Sequence, residues 1–168
     1  AEGEDARYIA VSSRLSGTCQ SAFIAKQQLE EQFPGRRVEV FDSLAASMWE
    51  GLLVYLAARQ QKAGLTLDQL LAWLKANVLH LCHWFTVDDL NHLKRGGRVS
   101  AATALVGTML GIKPVLHVDD EGHLIPVSKV RSRKQSLDEL VRKMAETALD
   151  PAEQTVFISH GDCLADAQ

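Results

Sequence analysis

Cysteine is scarce in this 168-residue chain, and the three that occur, Cys19, Cys82 and Cys163, form an odd set without paired spacing. They make neither a disulfide framework nor a zinc ligand set, and they read as reduced thiols in a cytosolic protein. Cys82 and His83 are adjacent, but their run, 78–86, reads as a buried strand, so no metal is expected. No stretch approaches the roughly 20 apolar residues that a membrane span requires. The opening residues 1–7 are acidic and lack the basic start of a signal peptide. A soluble, cytoplasmic protein without stable membrane insertion is therefore expected. Gly-x-Gly-x-x-Gly and Gly-Lys-Ser/Thr loops are absent, which argues against ATP binding by the chain itself. A Gly-x-Ser-x-Gly elbow is absent too, and the six histidines show no triad pattern, so nucleophilic catalysis is not expected. The formal charge of −3 gives no global drive toward nucleic acid. Lysine and arginine cluster at 94–98 and 129–134 without aromatic interleaving, which favours a local patch over nucleic-acid binding.

Hydrophobic content of 46% with 23% charged residues is that of a globular protein able to bury a core. The first half alternates strand and helix patterns. Strands are predicted at 8–12 and 37–41. Helices are predicted at 18–32, with Ala22, Ile24, Ala25 and Leu29 on its apolar face, at 45–62, and from Thr66 onward with Leu67, Leu70, Leu71 and Leu74 on one face. That order implies a parallel sheet with crossover helices. The second half reads as strand 78–86, two helices around Gly96-Gly97, and strand 112–118. A hairpin turn at 119–122, return strand 124–130, helix 134–148 and a last strand at 155–159 follow. The fold class is therefore α/β, a parallel-sheet N-terminal part followed by an α+β subdomain with an antiparallel hairpin. The boundary is placed near residue 76, giving parts 1–76 and 77–168. No repeat and no linker rich in Gly, Ser or Pro marks it.

Three groups of residues can carry chemistry. Ser12, Ser13, Ser16, Gly17 and Thr18 lie where the first strand enters the first helix. Hydroxyls and free amides there can hold a carboxylate or phosphate, or Ser16 or Thr18 can simply cap the helix. Asp42 and Ser43 end the second strand at the sheet edge where α/β proteins bind ligands, although Asp42 also fits a cap on the following helix. Arg98 follows the glycine turn, where Asp88 and Asp89 open the preceding helix and Ser100 fits a cap on the next. Arg98, Arg131, Arg133 and Lys134 suit planar anions, or else a solvated surface. Leu44, Ala45, Trp49, Leu52, Leu53, Leu105, Val106, Met109 and Leu110 are apolar at helical spacing and fit either a cavity wall or an ordinary core. His160-Gly161-Asp162 reads as a turn.

The blocks Ser12–Thr18, Phe41–Ser47, Thr86–Ser100, Lys129–Lys134 and Ile158–Asp162, in this order and spacing, closely resemble the DegV family of bacterial lipid-binding proteins. That family includes the fatty-acid-carrying subunits of bacterial fatty acid kinases. The resemblance covers essentially the whole chain. It implies a carrier rather than an enzyme, with no cofactor and a long-chain fatty acid as ligand in an apolar cavity between subdomains. It further implies that Ser13 binds the carboxylate, supported by Ser12, Ser16, Gly17 and Thr18. Asp42, Ser43, Leu105 and Met109 would belong to the cavity or its entrance. Arg98 and Arg131 would face an ATP-dependent kinase subunit that converts the carboxylate to an acyl phosphate. DegV proteins are longer, with an amino-terminal strand, a Thr-Ser-Gln-Pro segment and a His- and Gly-rich carboxyl-terminal segment. None of these occurs here, and a fragment is expected. The residues also admit a second reading, an enzyme for a small phosphorylated or carboxylated substrate with Ser13 and Arg98 on the anion.

Overall fold

The computed structural model describes residues 5–98 and 111–168, in two compact units, 1–81 and 82–168. Ser100, Leu105, Val106, Met109 and Leu110 lie outside the described residues.

In the first unit, β1 (Ala6–Ala10) and β2 (Val38–Asp42) pair in parallel, Ala6 opposite Val38 and Ala10 opposite Asp42. Parallel neighbours need a crossover, and α1 (Thr18–Gln32) supplies it. It stops as predicted: Phe33 N–H returns to the Leu29 carbonyl (2.8 Å), and Gly35 turns the chain at φ +99°. Two helices follow, α2 (Ser47–Lys62) and α3 (Leu67–Asn77). Leu53 and Ala57 on α2, and Leu70 and Leu74 on α3, are each four apart and therefore share a helix face. They form the buried core, joined by Ile9 and Phe41 from the strands. Thr66 opens α3 with a capping box, its hydroxyl accepting from Gln69 N–H while the Gln69 side chain accepts from Thr66 N–H (2.9 Å).

Three expectations need correction here. Residues 78–80 form a 3₁₀ turn continuing α3, not the start of a strand. Val78 and Leu81 pack against the first unit's core, which places the division after Leu81 rather than near 76. On α1 the expected apolar face is largely uncovered, with Ile24, Ala25 and Leu29 exposed and Cys19 the buried residue.

The second unit is built on β3 (Trp84–Thr86), β4 (Lys113–Val118) and β5 (Leu124–Val130), an antiparallel sheet in the order β3-β4-β5. Central β4 buries Val115, Leu116 and Val118. Its partner β5 carries Pro126, which has no N–H for the ladder. The register shifts there: Leu116 faces Pro126 while Val115 faces Ser128, so Val127 is the extra residue of a bulge. α4 (Leu90–Arg95) is capped by Asp89, whose carboxylate accepts from Asn91 N–H (2.8 Å), and Gly97 then turns at φ +71°. α5 (Arg133–Thr147) is capped by Ser132, and α6 (Leu164–Ala167) is the last element. The strand predicted at 155–159 does not form. Its β-branched residues fit a strand, but a strand exists only in a ladder, and among the described residues the sheet is made of β3, β4 and β5. No described helix is long and apolar enough to cross a membrane.

Candidate functional site

The C-terminal ends of β1 and β2 run on into two loops that lace together. Ser43 N–H donates to the Ala10 carbonyl (3.0 Å) and Ser12 N–H to the Ala45 carbonyl (2.7 Å), extending the strand register by a few residues. Each loop is then shaped by side chains that accept from the backbone two residues on, the geometry that makes Ser and Asp turn-formers. Ser12 Oγ accepts from Arg14 N–H (3.2 Å) and Ser16 Oγ from Thr18 N–H (3.3 Å). Asp42 Oδ1 accepts from Leu44 N–H (3.0 Å) and Ser43 Oγ from Ala45 N–H (3.2 Å). Leu44 and Ser47 sit in the left-handed region at φ 51° and 56°, conformations that cost about 1–3 kcal/mol for a side-chain-bearing residue.

These turns sort the predicted serine set. Ser12 and Ser43 are fully buried and shape their loops. Ser16 and Thr18 hydroxyls lie 3.0 Å apart and bond each other. Ser13 is different: it is exposed, and its hydroxyl takes no hydrogen bond from the described residues. Its N–H instead donates to both carboxylate oxygens of Asp42, each at 3.3 Å. Asp42 therefore does not cap α2, which begins at Ser47 with Ala46 as its N-cap. The helix cap expected of Asp42 is corrected to a clasp between the two loops. Gly17 is the N-cap of α1 and offers no side-chain cap, and the first turn carries no acidic residue. The first amide of α1, Thr18 N–H, is taken by Ser16 Oγ rather than by a side chain at the N-cap. Burial, followed by the negative charge of Asp42, pushes the Cys19 thiol above its ordinary value. Cys19 is an inert core thiol. The apolar candidates divide as well, with Ala45 and Leu53 fully buried and Leu44, Trp49 and Leu52 half-buried.

The basic residues belong to the second unit. Arg131 leaves β5 at the turn into α5, exposed, its N–H donating to Gln135 Oε1 (3.1 Å). It lines an open groove of about 430 Å³ together with Lys129, Val130, Gln135, Asp138, Glu139 and Arg142. Arg133 pairs with Asp166 (2.7 Å) and Lys134 with Asp138 (2.9 Å). Among the described residues Lys129 and Arg131 form no ion pair, so their charge is available to an incoming anion. Arg98 is exposed and folds back on its own turn, with Nη1 donating to the Gly96 carbonyl.

Sequence reading missed one cluster. Asp119, Glu121 and His123, in the β4–β5 turn, bring three ligand-type atoms within 4.8 Å of one another. Asp119 Oδ1 accepts from the N–H groups of Glu121 (3.1 Å) and His123 (2.8 Å), so the turn explains the gathering. Cys82 and His83, adjacent in sequence, part company: Cys82 is exposed and His83 buried. His160 accepts Cys163 N–H on Nδ1 (3.2 Å), which makes the 160–162 segment a turn.

The parallel and antiparallel sheets define a protein of the α/β class, with serine-rich loops laced together at one strand edge. The chain belongs to the DegV family of uncharacterised proteins, whose family model matches residues 1–168. A DegV domain-containing protein of Clostridium perfringens is 44% identical over 167 residues, 99% of this chain and 57% of the relative. The chain thus spans little more than half the length of that relative. A DegV family protein from Thermus thermophilus, described as fatty-acid-binding, is 35% identical with a TM-score of 0.76 over 89% of this chain and 51% of that one. A DegV family protein from Ruminococcus gnavus, solved with vaccenic acid, has a TM-score of 0.92 over 99% of this chain and 59% of that one. At 24% identity, the latter speaks for the fold alone.

Proposed function

We propose that this chain carries the carboxylate end of a fatty-acid site, with Ser13 as the residue that donates to the carboxylate. The observation that supports this reading most directly is the sorting of hydroxyls: Ser12, Ser16, Thr18 and Ser43 are spent on the loops, and among the described residues of this set Ser13 is the exposed one whose hydroxyl takes no hydrogen bond. A fatty-acid-binding relative at 35% identity supports the ligand class. A C16–C18 tail supplies affinity at about 0.8 kcal/mol for each methylene buried. Its carboxylate needs donors, because an unpaired charge in a dry site is strongly disfavoured. In this reading the chain is a carrier and not an enzyme. Arg98 and Arg131 meet a separate ATP-dependent kinase subunit that makes the acyl phosphate. Ser12, Ser16, Gly17 and Thr18 hold the turn, and Asp42 and Ser43 shape its rim.

The test is lipid mass spectrometry of an organic extract, on the 168-residue chain and the complete gene product side by side, with Ser13→Ala beside each. A stoichiometric C16–C18 acid in the complete product, lost or reduced about tenfold in affinity by Ser13→Ala, is the expected result. A complete product that neither contains nor takes up any C14–C18 acid refutes it and favours the small-anion enzyme.

A further inference from the structure

We propose that Asp42 is the positioning residue of the carboxylate site, holding Ser13 in place through its backbone. The inference rests on the fatty-acid reading for its ligand and on the loop geometry for its mechanism. Ser13 follows β1 with no backbone partner for its N–H, since Ser12 N–H, at the Ala45 carbonyl, is the last amide of that loop to bond backbone on the β2 side. The clasp from the neighbouring loop is the Asp42 carboxylate, 29 residues away in sequence. One oxygen, Oδ1, reaches both Ser13 N–H (3.3 Å) and Leu44 N–H (3.0 Å), so a single atom ties the exposed serine to the strained residue of the second loop. Amide donation to an ionised acceptor is the stronger kind of hydrogen bond.

The arrangement has a chemical consequence. With its amide committed to Asp42, Ser13 offers a fatty acid its hydroxyl and not its N–H. The Asp42 carboxylate is committed to two backbone amides, Ser13 N–H and Leu44 N–H. Loss of the clasp frees the Ser13 backbone to rotate, and the hydroxyl then meets the ligand in only a fraction of conformers. Asparagine at 42 retains an oxygen able to accept both amides and removes the charge; alanine removes both.

The experiment is calorimetric titration of the complete gene product with palmitic acid and with 1-hexadecanol, each delivered from cyclodextrin. Asp42→Ala is expected to weaken palmitic acid about tenfold while leaving hexadecanol within about twofold. Asp42→Asn is expected to stay within about threefold of wild type for both. Asp42→Ala added to Ser13→Ala is expected to cost nothing further, because one acts through the other. Wild-type affinity in Asp42→Ala, equal loss of acid and alcohol, or an Asn variant as weak as the Ala variant overturns the assignment. If the wild type takes up no palmitic acid, it is the fatty-acid reading that has failed. The clasp is then judged by hydrogen exchange at the Ser13 and Leu44 amides, expected to be slowed in wild type and Asp42→Asn and fast in Asp42→Ala. Unchanged protection in Asp42→Ala overturns it.

Discussion

His83 shows how one residue sets a condition on half the chain. It is 4% exposed, beside β3, where its carbonyl accepts from His117 Nδ1 (2.8 Å). The His117 ring stacks on Trp84 at 4.4 Å, and Lys143 lies 5.2 Å over the same indole. Burial, with a smaller contribution from His117, lowers His83 from the ordinary 6.5 to about 4. The folded state thus keeps His83 neutral, and the unfolded chain binds the proton first. Its contribution is intact above pH 6.5 and is lost as pH falls from 6.5 toward 4, to a total of about 3 kcal/mol. Urea midpoints for the second unit should fall across that window. They can be followed by Trp84 fluorescence in a Trp49→Phe/Trp73→Phe background. His83→Asn, whatever its absolute stability, should flatten the slope; an unchanged slope would show that His83 titrates normally.

Elements in this chain are decided by caps and ladders, and the two differ in how far they can be read from sequence. Thr66 and Gln69 are three apart, both in the turn that they cap, so the α3 start was legible. Thr66→Ala should cost about 1 kcal/mol in a urea melt, and Thr66→Ser should recover most of it; a neutral Ala variant would mean that the core alone holds α3. Segment 155–159 carries the right residues for a strand, yet strand formation depends on a partner, which local pattern does not supply. The run at 78–86 failed for the opposite reason. Val78 and Leu81 are apolar because they close the α2–α3 core, and only Trp84–Thr86 pairs with β4. At the candidate site the serine-rich turn was visible as a set. The clasp on the Ser13 amide was not, because it depends on Asp42, brought beside Ser13 by the parallel register that sets Ala10 opposite it.

On the scale of the whole molecule, the two proposed tasks fall on different units. Ser13 and Asp42 lie in residues 1–81, while Arg98 and Arg131 lie in 82–168. Each unit has its own buried residues, Leu53 and Leu74 in one and Val115 and Leu116 in the other. Substitutions at exposed positions in one unit therefore leave the core of the other intact. Holding a lipid and recruiting a kinase are also distinct free energies, one dominated by tail burial and the other by exposed charge. Reversing charge at an exposed rim changes association rate and its salt dependence more than it changes a buried site. Arg98→Glu/Arg131→Glu is thus expected to leave palmitic acid affinity within about twofold. The same pair should slow acyl-phosphate formation by the kinase subunit about tenfold or more at low salt, with the defect against wild type narrowing as salt screens the charges. Ser13→Ala should show the reverse, weakened lipid affinity with kinase association preserved. Titration with palmitic acid and a kinase pull-down across salt concentrations separate the two. A charge-reversal variant that loses lipid and kinase together would place the arginines at the lipid itself, and one that loses neither would remove them from both roles.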